Sequence, residues 1–269
     1  GHNALTANTT ASNNVAVGSG ALATSTTATD NTAVGFQALN ANTSGADNVA
    51  LGDEAGHDIT TGSRNVILGS KAGDAATTTD DSTLIGYGAG GGAIMTGHDN
   101  VAVGSGSLSV TTSGATNVAV GKDAGAAITT GDGNVAIGYQ ALDANTTADD
   151  NTAVGKAALG ANTTGSGNTA LGSLSLDANT TGVNNTALGR AAMTSSTTGG
   201  QNVGVGVSAL EANTTGSDNV AVGINTLGTN TAASNMTAIG TGALQAVNGS
   251  AAMWNTAVGY EAGNDTTTG

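Results

Sequence analysis

Proline and cysteine are absent from this chain of 269 residues, and aromatic side chains nearly so: one Phe, one Trp and three Tyr. Without cysteine, neither a disulfide nor a thiolate metal site can hold the chain together. Without large side chains, an ordinary globular core cannot be built. Basic residues are scarce as well. Five Lys plus Arg stand against nineteen Asp plus Glu, a formal charge of −14 that repels nucleic acid and other polyanions. No apolar run approaches the roughly 20 residues of a membrane span, and neither an initiator Met nor a signal-like apolar segment opens the chain. The expectation is a segment with no membrane insertion, cut from a longer protein.

Glycine (44 residues), Ala, Thr and Asn dominate instead. Such low complexity suits disorder, but disordered chains lack evenly placed β-branched residues, and here Val, Ile and Leu return at a fixed interval. The glycine that closes each NxAVG-like pentad recurs from Gly18 through Gly35, Gly52 and Gly69 to Gly259 with a step of 17 residues. Two steps are longer, 18 from Gly86 to Gly104 and 19 from Gly240 to Gly259, as loop insertions at a surface turn would be. A clean copy runs from Asn151 to Gly167, NTAVGKAALGANTTGSG, and its residues define positions one to seventeen. A period of this length signals an all-β parallel β-solenoid, here of about fifteen 17-residue coils in a single repeat domain spanning 1–269.

Within the pentad, positions two and four are Val/Thr and Val/Ile/Leu while position three is nearly always Ala, the period-two alternation of a strand. Taking the bulkier file as the inward one makes Val17, Val34, Leu51, Leu68, Ile85, Val103, Val120, Ile137, Val154, Leu171, Leu188, Val205, Val222, Ile239 and Val258 the structural core. A second inward residue is the Leu at position nine, on a second short strand segment. Neither segment can pair within its own coil, so each is expected to bond to the coils above and below at about 4.8 Å, and fifteen coils would reach on the order of 70 Å. Where position nine is Leu, position twelve is usually polar, as in Leu142 with Asn145 and Leu159 with Asn162. Where nine is Gly, twelve can become Ile, as in Gly56 with Ile59 and Gly125 with Ile128, which places both positions in one narrow interior. Gly73 with Ala76 breaks the exchange.

Position one is Asn at Asn14, Asn31, Asn48, Asn65, Asn100, Asn117, Asn134, Asn151, Asn168, Asn185, Asn202 and Asn219. Stacked coils set these amides in a column, where they can satisfy turn backbone groups and one another. A row of ligand contacts is the competing interpretation.

The pentads NVAVG, NTAVG, NVALG and NVAIG, followed by AL or AG and a glycine turn, resemble the YadA-like head repeats of trimeric autotransporter adhesins, which also occur in phage tail fibres. The resemblance covers essentially the whole chain in register, although the family's usual head repeat is somewhat shorter. It implies a left-handed β-roll that assembles as a homotrimer and presents an adhesive or spacer surface outside a cell or on a virion. A cell-surface glycan or protein is the receptor class that it implies. Independently of the resemblance, a 17-residue coil encloses little apolar volume, so its leftover Ala and Val/Thr faces gain from burial between chains.

Residues that carry chemistry are thinly spread. His2, His57 and His98 lie in different coils, each far in sequence from a second metal ligand or a nucleophile with its base. The glycine clusters lack the Lys and following helix of a phosphate-binding loop. Asp30, Asp47, Asp81, Asp99, Asp150 and Asp218 precede the Asn column, but the calcium nonapeptide GGxGxDxUx is missing, and solvated charge that keeps fibres apart accounts for them. No catalytic residue, cofactor or metal is expected. Paired threonines such as Thr146–Thr147 and Thr163–Thr164 recur at positions thirteen and fourteen, and neighbours on a strand face opposite ways. One threonine file would then face water, which suits β-branched ladder packing better than the flat double file of an ice-binding surface. Gly1 enters at position five and Gly269 ends within a coil, without the atypical capping coils of solenoids, again as in a piece of a longer fibre. The sequence thus points to a non-enzymatic shaft or head of an extracellular or virion-borne trimeric fibre. A secreted self-assembling filament and an ice-binding repeat are the alternatives.

Overall fold

A computed structural model describes residues 1–247 and 253–265. The described residues contain no helix and fifteen strands of three residues each, all at pentad positions two to four. The chain divides into two compact units, Gly1–Asn134 and Val135–Gly269. In the first lie β1 (Val15–Val17), β2 (Thr32–Val34), β3 (Val49–Leu51), β4 (Val66–Leu68), β5 (Thr83–Ile85), β6 (Val101–Val103) and β7 (Val118–Val120). In the second lie β8 (Val135–Ile137), β9 (Thr152–Val154), β10 (Thr169–Leu171), β11 (Thr186–Leu188), β12 (Val203–Val205), β13 (Val220–Val222), β14 (Thr237–Ile239) and β15 (Thr256–Val258). Within each unit every strand pairs in parallel with its sequence neighbour, position against equal position: Val15 with Thr32, Ala16 with Ala33, Val17 with Val34, and Ala170 with Ala187. Each unit is therefore a parallel β-solenoid.

One strand per coil, not two, forms. The other side of the coil bonds to its neighbour through isolated contacts, such as the Thr43 N–H to the Thr60 carbonyl at 2.9 Å and the Leu39 N–H to the Ala55 carbonyl at 3.0 Å. Extended geometry cannot persist there because positions seven, nine and seventeen are left-handed, as at Gln140 (φ 53°), Leu142 (φ 55°) and Asp150 (φ 58°).

The phase of the strand alternation is the reverse of the expected one. In β2 to β14 the buried strand residue is the central one: Ala33, Ala50, Ala102, Ala119, Ala153, Ala170, Ala187 and Ala221 are inaccessible to solvent. Val17, Val34, Leu51, Leu68, Ile85, Val103, Val120, Ile137, Val154, Leu171, Leu188, Val205, Val222, Ile239 and Val258 lie outside the core of the chain, partly or largely exposed, with Val17 at 56%. Volume decides the phase where hydrophobicity alone suggested the other choice. The interior is already filled by Leu at nine and Asn at twelve, both inaccessible in Leu142 and Asn145, and leaves space for a methyl group at position three.

The exceptions obey the same rule. A methyl group added at Gly56 would stand 3.2 Å from Ile59 Cδ1, and one at Gly125 3.0 Å from Ile128 Cδ1, so the exchange between positions nine and twelve does fill one volume. At Gly73 the space is taken instead from position three, by Leu84 (2.8 Å from such a methyl) and Ile67 (3.6 Å). The converse occurs where Met193 replaces Leu at nine. Position three of the following coil is then Gly204, at which a methyl would come within 2.9 Å of Met193 Cγ.

Candidate interaction surfaces

The position-one asparagines line the interior of the coil. Asn31, Asn48, Asn65, Asn100, Asn117, Asn134, Asn151, Asn168, Asn185, Asn202 and Asn219 are inaccessible, and Asn14 is half-buried. Within each unit Oδ1 accepts the backbone N–H of the next coil's position one, as Asn168 does from Asn185 (2.9 Å) and Asn185 from Asn202 (3.0 Å). Elsewhere in the column Nδ2 closes its own coil by donating to the carbonyl at position fifteen, as Asn168 to Gly182 and Asn185 to Gly199, both 2.8 Å. Ser82 takes the place of Asn in one coil and Met236 in another, and Ser82 relays through its hydroxyl, which accepts the Asn100 N–H at 3.2 Å. Buried and internally bonded, this column presents nothing to a ligand.

A second amide column at position twelve was not identified in the sequence. Asn162 Nδ2 donates to Asn145 Oδ1 (3.3 Å) and Asn179 Nδ2 to Asn162 Oδ1 (2.8 Å), and both also donate to position-fifteen carbonyls. The Gly182 carbonyl thus receives Asn168 and Asn179 together, filling both its lone pairs. The sequence signal was the Asn that accompanies Leu at nine, and both residues of the pair proved to be interior.

What the coils present outward is apolar on one side. Positions two and four stand on the outer face of the strands, so that each unit carries an unbroken aliphatic file: Val17, Val34, Leu51, Leu68, Ile85, Val103 and Val120 in the first, Ile137, Val154, Leu171, Leu188, Val205, Val222, Ile239 and Val258 in the second. Position six margins this file and holds four of the five aromatic residues, Phe36, Tyr87, Tyr139 and Tyr260, all substantially exposed. Opposite in character are the threonines. At position thirteen the hydroxyl donates to the same position one coil on, Thr163 to the Thr180 carbonyl at 3.0 Å and Thr180 to that of Thr197 at 3.1 Å. Thr164, Thr181 and Thr198 at position fourteen face solvent, one file per unit.

Charged groups pair along the coils. Arg64 grips Asp81 through Nε and Nη2 at 2.6 and 2.7 Å, which lowers the Asp81 carboxyl and raises the guanidinium. Lys71 Nζ lies 3.3 Å from Glu54, and that contact raises its pKa. Asp30, Asp47, Asp81, Asp99, Asp150 and Asp218 are all exposed at position seventeen, where Asp tolerates the left-handed backbone. Asp30 accepts Asn13 Nδ2 at 2.9 Å. His57 lies 2.6 Å from Asp58, and His98 Nδ1 accepts the Asp80 N–H at 2.9 Å. Among the described residues no three His, Asp or Glu converge to hold a metal ion, and no helix is long and apolar enough to cross a membrane. No family model matches the chain, and no curated protein or solved structure does so either.

Proposed function

We propose that the chain is the structural shaft or head of an extracellular or virion-borne trimeric fibre that mediates attachment to a cell surface, without a catalytic site of its own. The observation that carries this is the aliphatic file. Monomeric proteins rarely expose contiguous apolar patches beyond a few hundred Å², yet each unit holds Val, Leu or Ile outward at position four of every coil. At about 4.8 Å per coil the file of the first unit runs for roughly 30 Å. A regular, self-similar face is best covered by the same face of another copy, since equal coil spacing keeps every layer in contact. The threefold count comes from the resemblance to adhesin head repeats, and rigidity from the inter-coil ladder.

Light scattering on the purified chain tests this. Three times the 25.3 kDa chain mass is expected. Replacing Leu171 and Leu188 together by Asp, at exposed positions that the coil interior does not use, is expected to give the monomer mass with an unchanged far-ultraviolet spectrum. Leu171 and Leu188 are less than half exposed in the single chain, so two lost Leu contacts cost each copy on the order of 1–3 kcal/mol. A wild-type monomer, or open-ended polymers, would sink the trimeric fibre.

A further inference from the structure

The second unit carries only two cations, Lys156 and Arg190, and both stand exposed at position six, along one margin of the aliphatic file. Lys156 lies two residues past the end of β9, and Arg190 two residues past the end of β11. On the other margin, at positions sixteen and seventeen, Asp149, Asp150 and Asp218 are exposed with no cation among them. Asp150 lies two residues before β9, and Asp218 two residues before β13. Glu261, in the last coil, is the one carboxylate on the cationic margin. Among the described residues Lys156 and Arg190 take part in no ion pair, whereas Arg64, Lys71 and Lys122 of the first unit all do.

If a second copy covers the file, the charges at its edges decide how that copy lies. Two copies face to face, with their coils running the same way, bring the cationic margin of one against the acidic margin of the other. Coils running opposite ways bring like margins together, and like charges set against each other across an interface oppose association. Exposed ion pairs add little affinity, so the file supplies the cohesion and the margins supply the direction. A closed ring keeps its copies level, since a shift along the coils turns the ring into an open screw. At one level the charges that meet are Lys156 and Asp150, on either side of β9. Arg190 then meets the exposed amide of Asn184, two residues before β11, while Asp218 lies two coils away from it.

We propose that the second unit joins further copies of the chain in parallel and level, with Lys156 of one copy against Asp150 of the next. The fibre reading supplies the partner as a second copy. Polarity and register are what the two margins add to it.

Carbodiimide coupling of the full chain tests this, because the reagent joins a lysine amine to a carboxylate that touches it. Covalent dimers and trimers are expected on denaturing gels, and mass spectra of their digests are expected to show Lys156 joined to Asp150 or the adjoining Asp149. Lys156→Arg keeps the charge but cannot couple, so it is expected to lose that link and keep the scattering mass. Lys156→Glu is expected to weaken association about tenfold, and Lys156→Glu with Asp150→Lys to restore it. Lys156 joined to Glu261 would put like margins together, and Lys156 joined to Asp218 would mean shifted copies; either overturns the proposal. A trimer mass without the Lys156 link, or a Lys156→Glu chain that associates as tightly as the unaltered one, overturns it too and leaves the fibre standing. A monomer mass for the unaltered chain removes both.

Discussion

At Gly155 the backbone leaves no place for even one methyl group. A Cβ there would lie 2.6 Å from the Gly172 carbonyl carbon and 2.9 Å from the Ser173 nitrogen, at a φ of +132° that side chains rarely adopt. The same close approach recurs wherever one pentad glycine sits over the next, so this column sets how tightly coils can stack. Gly155→Ala is expected to cost at least about 3 kcal/mol, from backbone strain together with forced separation of two coils. Urea unfolding of the purified chain measures it, and a loss below about 1 kcal/mol would contradict the close-approach argument. Position nine shows the opposite balance. Leu159 is also left-handed (φ 52°), a cost of about 1–2 kcal/mol, but it is wholly buried, which is worth roughly 1.5–3 kcal/mol, and the leucine prevails. Its strain explains why Gly56 and Gly125 are accepted there once an Ile supplies the lost volume.

Coils agree with their neighbours side chain by side chain, and the amide column at position twelve shows what happens when one fails to. Asn179 Oδ1 is buried without a partner, and so is the hydroxyl of Ser196, which occupies position twelve of the following coil. Asn179 donates its amide hydrogen to Asn162 and Asn162 to Asn145, and the chain of bonds stops at that serine. Ser196→Asn is expected to bring an Nδ2 to Asn179 Oδ1 and to raise stability by about 1–3 kcal/mol, the cost of leaving a buried acceptor unmet. A midpoint in urea that stays the same or falls would show that Met193, beside it, leaves no room for the amide. The period, the strand positions and the shared volume of positions nine and twelve were legible because they are matters of spacing, which sequence displays directly. Whether Ala170 or Leu171 faces inward was not, because strict alternation fits either phase and the answer depends on how much volume Leu176 and Asn179 already occupy.

Across the whole molecule, nineteen carboxylates against five cations make the pH dependence of stability a test of where the acids sit. Asp74 and Asp177 have raised pKa values because burial disfavours their charged forms. In the window above an unfolded value of about 3.9 and up to the raised folded one, the native state binds more protons than the unfolded state, so stability falls as pH rises through it. Asp81 acts the other way. Its pairing with Arg64 lowers its pKa, so that contribution is present above the unfolded value and is lost only as pH falls through the lowered folded one. General repulsion from a charge of −14 adds to the first effect, since it too diminishes on acidification toward the isoelectric point near 4.1. The thermal midpoint is therefore expected to rise from pH 8 to pH 5 and to drop only below about pH 4, as Asp81 becomes protonated. Asp177→Asn removes one partly buried charge, so it should stabilise the chain at pH 8 and do so far less at pH 3. A midpoint that falls steadily from pH 8 to pH 5 would mean that ion pairs such as Arg64 with Asp81 outweigh both burial and repulsion, and the acidic surface would then be a source of cohesion rather than of spacing.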